Sequence, residues 1–137
     1  MLRPKNIVRA GILTSIVLVS IVVITAPDKS AEEIKRRVTY NNLLSTGDSL
    51  LAEKNFDAAQ ISFKQASALI PNLWIPYFKQ GIVFGSQNKF EQAEEQYRIA
   101  LDIYPDHPAL LSNYGATLAI LGRTEEAEPV LRNAIRQ

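Results

Sequence analysis

The sequence predicts an all-α chain: a helical solenoid of six antiparallel helices in three helix-turn-helix units, preceded by a single transmembrane helix. Three observations carry that prediction. Between Tyr40 and Gln137 the same residue types recur with a period of 34 residues, and self-similarity at a fixed period of this size marks a stacked repeat. Within each period, two apolar-periodic stretches of about a dozen residues flank a short polar break, the pattern of a helical hairpin. Before the repeats, Ala10–Ala26 runs 17 residues without a charge, which is the mark of a membrane span.

The repeat is exposed by stepping along its period. Gly47, Gly81 and Gly115 stand in register, as do Ala59, Ala93 and Ala127, then Ala66, Ala100 and Ala134, with Pro71 matched by Pro105. Large apolar positions follow the same spacing: Leu50, Phe84 and Leu118; Phe63, Tyr97 and Leu131; and Phe56 with Phe90, where Thr124 breaks the series. The spacing predicts helices over 41–53, 57–69, 75–87, 91–103, 109–121 and from Glu125 to the end, in units 40–73, 74–107 and 108–137. The small residues are expected where two antiparallel helices touch and the aromatic or Leu fills the space beside them, since packed helices interlock small against large. Pro71 and Pro105 cannot extend the helices they follow. Pro76 and Pro108 fall in first turns, where a missing N–H does no harm. Pro129, deeper in the last helix, predicts a loosened first turn.

These residues resemble the tetratricopeptide repeat, whose pattern is W-x2-L-G-x2-Y, then A-x3-F, then P. The second unit carries it as Tyr77, Gln80, Gly81, Phe84, Ala93, Tyr97 and Pro105; the first as Leu43, Thr46, Gly47, Leu50, Ala59, Phe63 and Pro71; the third as Leu111, Tyr114, Gly115, Leu118, Ala127 and Leu131. The resemblance covers residues 40–137. The opening Trp-then-Leu pair is absent throughout, while the spacing of Gly, Ala and Pro is kept.

The chain before the repeats reads as an anchor. Residues 1–9 are a short basic tail with Arg3, Lys5 and Arg9. Residues 10–26 are the expected transmembrane helix, extended to Ile7 if Arg9 snorkels to the interface, and in lipid a single span must be helical to satisfy its backbone. A cleaved signal peptide begins in the same way, but its apolar core is shorter, Ile24-Thr25-Ala26 is a poor cleavage site, and Pro27 follows it. The uncleaved anchor is therefore the expectation. Lys and Arg flank the span on both sides, with Lys29, Lys35, Arg36 and Arg37 beyond it, so counting them does not orient it. A short basic tail is the harder side to translocate. The expected location is thus a single-pass membrane protein with its amino terminus in the cytosol and its repeats outside, on the periplasmic side of a bacterial inner membrane. Ala10, Gly11, Thr14 and Ser15 offer small residues four apart to a helix–helix partner in the bilayer. After Pro27, residues 27–39 are expected to form a connecting helix, opened by a capping box in which Ser30 holds the amide of Glu33. It would run unbroken into the first repeat helix as a strut.

Composition removes most chemistries. The sequence has no cysteine, which excludes disulfides, thiolate nucleophiles and cysteine metal sites. From Asp28 onward 12 basic residues face 14 acidic ones, an interspersed and nearly neutral set that does not read phosphates, so no nucleic-acid partner is expected. His107, the only histidine, lies in Pro105-Asp106-His107-Pro108, where turn chemistry accounts for it better than an acid–base pair without a nucleophile. Glu91, Glu94 and Glu95, like Glu125, Glu126 and Glu128, open second helices, where negative charge suits the helix dipole. No catalytic residue, cofactor or metal is expected, and the chain is not read as an enzyme.

What the resemblance implies instead is a concave surface, lined by the first helix of each pair, that holds a segment of another protein. It places there Asn41, Leu44, Asp48 and Leu51; Ile75, Phe78, Lys79 and Ile82; and Ala109, Ser112, Asn113, Ala116 and Ile120. Family members that grip a C-terminal carboxylate carry Lys, Asn and Arg on this surface; here Leu44, Asp48, Lys79, Ala109 and Asn113 hold those places. An apolar or amphipathic segment is the better match, although Leu44, Leu51 and Phe78 can equally serve to pack on one another. Val130, Leu131 and Ile135 on the last helix have no following element to cover them, so a partner or a second copy is expected there. The favoured role is a membrane-anchored, non-catalytic scaffold or adaptor that helps assemble a membrane-associated complex. The alternatives are a permanent structural subunit of a large membrane enzyme or transport complex, and an organelle-surface receptor for client segments.

Overall fold

The computed structural model describes residues 28–136. The chain divides into two units, residues 1–35 and 36–137; the described part of the first is the opening of helix α1. The helices are α1 (Lys29–Ala52), α2 (Phe56–Leu69), α3 (Trp74–Ser86), α4 (Phe90–Ile103), α5 (Pro108–Ile120) and α6 (Thr124–Arg136). The repeat helices fall within one residue of the ends that the period predicts, apart from the long lead of α1. The expected membrane span at residues 7–26 lies outside the described residues, together with its small-residue face. No helix among the described residues is long and apolar enough to cross a membrane.

Helix α1 starts earlier than the expected capping box would have it. The Asp28 carboxylate accepts the amide of Ser30 at 3.0 Å, and the Asp28 carbonyl accepts Glu32 N–H at 3.0 Å. Asp28 therefore caps the helix and Ser30 lies inside it, its own amide being the orphan donor that the Asp28 carboxylate satisfies with a full charge. From there the helix runs without a break to Ala52.

Helices α3 and α4 pack as one hairpin and α5 and α6 as another, while α2 on α3 and α4 on α5 join successive hairpins. The contact between paired helices is the one the small residues predict. A Cβ built on Gly47 would sit 2.5 Å from the Phe63 ring of α2, and one on Gly115 2.7 Å from the Leu131 side chain of α6; Gly81 lies in the same way against the Tyr97 ring of α4. Ala59, Ala66, Ala93 and Ala100 are wholly buried beside these pairs, and Ala127 nearly so. Ala134 differs: it is half-buried, and its neighbour Ile135 is 85% exposed.

The turns repeat as faithfully as the core. Lys54, Asn88 and Gly122, each one period apart, adopt left-handed φ values of 60°, 58° and 78°. Around each, two amides fold back on the helix just ended. Asn55 N–H donates to Leu50 O at 2.8 Å and Lys54 N–H to Leu51 O at 3.0 Å; Lys89 to Phe84 and Asn88 to Gly85, and Arg123 to Leu118 and Gly122 to Ala119, repeat the pattern. This is the Schellman closure, which satisfies carbonyls that the helix end would leave orphaned. At the other turns, Ile70 and Tyr104 end α2 and α4 by donating to Ala66 and Ala100, and Pro71 and Pro105 follow at once. Pro108 opens α5, and Pro76 lies buried in the first turn of α3. Helix α6 continues through Pro129; the loosening reduces to its start, where the Arg123 carbonyl accepts both Glu126 and Ala127 N–H.

Candidate partner-binding groove

The first helices of successive hairpins, α1, α3 and α5, carry the residues expected to meet a partner, and the structure divides them into three groups. Leu44 and Leu51 are half-buried against a core of Ala59, Phe63 and Val83, and Phe78 and Ile82 against one of Ala93, Tyr97, Ala100 and Leu110. These side chains thus pack and face outward at once. Where Leu51 and Ile82 approach, the surface opens into a depression of about 660 Å³ lined by Leu51, Ala52, Lys54, Phe56, Ile82 and Ser86, a size within the range of small-ligand or side-chain pockets.

The charged pair of the face comes together. Lys79 Nζ lies 2.7 Å from Asp48 Oδ1, joining α3 to α1, with the lysine side chain 27% and the aspartate 47% exposed. Asn113 is taken up locally, its Nδ2 donating to the Ala109 carbonyl at 2.7 Å, one turn back on α5. Ser112 and Ala116 remain exposed small residues, and Ile120 is exposed as well. The face is therefore largely apolar, with Asp48 and Lys79 answering each other and Lys54 a further cation lining the depression.

Two features escaped the sequence reading. The first is an aromatic cluster at the join of the second and third units. Trp74 packs on His107 with ring centroids 4.3 Å apart and planes tilted by 40°, and reaches Phe78 and Tyr104 at 5.7 Å each. His107 also caps α5, its Nδ1 accepting the amide of Leu110 at 3.4 Å; its role is that of a turn residue, as its setting predicts. The available signal was the sole tryptophan at the mouth of a unit. The equivalent linker one period earlier, Ile70-Pro71-Asn72-Leu73, carries no aromatic residue.

The second is a polar contact repeated between hairpins. Gln60 of α2 donates to Gln80 of α3 at 3.4 Å, and Gln80 donates to Ser67. One period on, Tyr114 of α5 donates to Glu94 of α4 at 3.4 Å. Gln80 and Tyr114 occupy the place where the repeat pattern has Leu, so the departure from pattern is turned into a partly buried hydrogen bond between hairpins. Burial, with the adjacent Glu94 carboxylate, pushes the Tyr114 phenol up. Arg123 reaches the same Glu94 at 3.7 Å and grips Glu126 through two nitrogens at 2.7 and 2.6 Å. That hydrogen bonding lowers the Glu126 carboxyl. Burial drives the Tyr97 phenol up to about 12.

Among the described residues no group of three or more His, Asp or Glu side chains converges as a metal site would need. Glu91, Glu125 and Glu126 stand in first helical turns, consistent with a helix-dipole role.

Comparison with known proteins agrees with this geometry. Residues 78–137 match the protein-family model described as tetratricopeptide repeat. Comparison with curated proteins finds no match. Solved structures share the fold: the Arabidopsis OM64 TPR domain superposes with a TM-score of 0.69 at 20% identity, covering 73% of this chain and 83% of that one. The first TPR of Spaghetti (RPAP3), bound to the HSP90 peptide SRMEEVD, gives 0.69 at 17% identity, with 72% and 78% covered. A crystal structure of MamA gives 0.67 at 22% identity over 71% of this chain, which spans only 57% of MamA.

Proposed function

We propose, on the premise that this chain belongs to the tetratricopeptide repeat family, that it is a membrane-anchored adaptor that holds an apolar segment of another protein and so assists assembly of a membrane-associated complex. The observation that carries the reading is the depression between Leu51 and Ile82, whose apolar lining also includes Ala52 and Phe56 and whose polar members are Lys54 and Ser86, while Asp48 and Lys79 of the same face are paired with each other. Such a surface gains affinity by burying apolar side chains, at roughly 25 cal/mol per Å² removed from water, and needs no reactive group. The HSP90 peptide of the Spaghetti structure gives a precedent for a peptide held by this fold. Anchoring by residues 7–26, with the amino terminus in the cytosol and the repeats on the periplasmic side, completes the proposal. It rests on the charge-free run and on the basic tail before it.

The test is site-specific photo-crosslinking from position 82 in native membranes, followed by purification in mild detergent. A discrete crosslinked partner is expected from position 82, and none from Gln65, which is exposed on α2. Ile82→Asp is expected to abolish capture while the helical circular dichroism persists; capture that survives in the folded variant rules the groove out. Protease protection of sealed vesicles tests the orientation, with the repeats expected to be cut only from the periplasmic side.

A further inference from the structure

The Asp48–Lys79 pair adds little as a stabiliser: both side chains keep contact with solvent, and such pairs contribute weakly to folding. Its position is more informative. Asp48 and Leu51 are three residues apart on α1, and Lys79 and Ile82 are three apart on α3, so each charged residue neighbours an apolar wall of the depression along its own helix. The ion pair thus crosses from one hairpin to the next beside the depression, and its 2.7 Å length makes it a direct charge-assisted hydrogen bond.

We propose that Asp48 is a specificity-determining residue that occupies Lys79 as an internal carboxylate, so that the groove rejects acid-tailed segments and accepts uncharged apolar ones. The inference rests on the groove reading above. A ligand carboxylate seeking Lys79 must displace an acid already tethered beside it, which acts at a high effective concentration. If it approaches without displacing Asp48, two carboxylates crowd one ammonium and repel each other. An apolar segment can bury itself on Leu51, Phe56 and Ile82 without meeting either obstacle; Lys54 lines the same depression as a separate cation, so the effect that belongs to Asp48 is the one that Lys79→Gln removes. Asp48 therefore supplies the repulsive element that discrimination between partners needs.

The acid-tailed probe is the peptide SRMEEVD, bound in the Spaghetti structure, here fluorescently labelled and titrated by anisotropy at low salt against the full chain in mild detergent. Asp48→Asn is expected to bind it about tenfold more tightly than the unaltered protein, a change typical of removing one close repulsive charge. Adding Lys79→Gln to Asp48→Asn is expected to erase the gain, and so is about 0.5 M salt, which shortens electrostatic reach to a few ångströms. Asp48→Ala is the second variant, with the same expectation, should the amide introduced by Asp48→Asn keep a hydrogen bond to Lys79. Equal affinity of the unaltered protein and both Asp48 variants, whether measurable or absent, overturns the proposal; so does a gain that survives Lys79→Gln. Crosslinking from position 82 tells the two readings apart: a crosslinked partner without an Asp48 effect leaves the groove standing and removes the selector, whereas the absence of any crosslink removes the groove and the selector that rests on it.

Discussion

The second and third units follow one template but resist change to different degrees. In residues 74–107, Gly81 lies against the ring of Tyr97, a side chain 3% exposed that also touches Phe78 with centroids 5.9 Å apart. In residues 108–137, the matching Gly115 lies against Leu131 and Val130, both half-buried, beside a half-buried Ala134. The difference comes from the neighbours: α4 lies between α3 and α5, whereas α6 among the described residues packs chiefly on α5. A repeat position therefore fixes which side chains meet, while the next layer sets how firmly they are held.

The sharpest way to break this comparison is to put the same methyl group into both seams. Gly81→Ala forces a rigid, enclosed ring to move and is expected to cost about 2 to 3 kcal/mol, typical of overpacking a core. Gly115→Ala pushes on Cγ and Cδ2 of the half-buried Leu131, a side chain freer to shift than the enclosed Tyr97 ring, and the gain in helix propensity of up to about 1 kcal/mol offsets part of the strain. Urea midpoints at matched slopes measure both; equal losses would show that the seams are alike.

Alkaline pH probes the same enclosure at a smaller scale. Burial raises the Tyr97 phenol to about 12 in the folded chain, against about 10 when unfolded. Because the folded value is the higher one, this tyrosine's contribution is complete below pH 10 and is lost as pH climbs from 10 toward 12, where the unfolded chain ionises first. The loss should approach about 2 kcal/mol at pH 12, and the difference between unaltered protein and Tyr97→Phe isolates it from other titrating groups. Identical pH profiles for the two would mean that water reaches the ring.

How much of this could be read from residues alone follows from what repeats. Gly47, Gly81 and Gly115, with Phe63, Tyr97 and Leu131, announced the helix pairs and their ends because one geometry imposes one side-chain size at each period. The Asp48–Lys79 pair was legible only as two residues on one face; its closure depends on the stagger between α1 and α3, which no local pattern states. The Trp74–His107 contact was hidden for a related reason, since it joins the opening of one unit to the linker that follows its partner helix, and it occurs in a single unit. Asp28 displaced Ser30 as the cap of α1 because its carboxylate takes the Ser30 amide and draws Ser30 into the first turn, and sequence order does not rank two capping residues so close together.

The turns extend the comparison to its finest grain, where geometry is held constant and only the residue varies. Lys54, Asn88 and Gly122 share a left-handed conformation and the same pair of closing hydrogen bonds. A left-handed residue with a Cβ costs roughly 1 to 2 kcal/mol, least for Asn, whose short amide can bond locally. Lys54→Gly should therefore stabilise the chain by about 1 kcal/mol, and Asn88→Gly by less. Gly122→Ala, which meets no neighbouring atom, should destabilise by about 1 kcal/mol through backbone strain alone. Opposite signs at one structural position would show that the turn's conformation is imposed by the stacked hairpins; a neutral Lys54→Gly, or a tolerated Gly122→Ala, would show that each turn relaxes to suit its own residue.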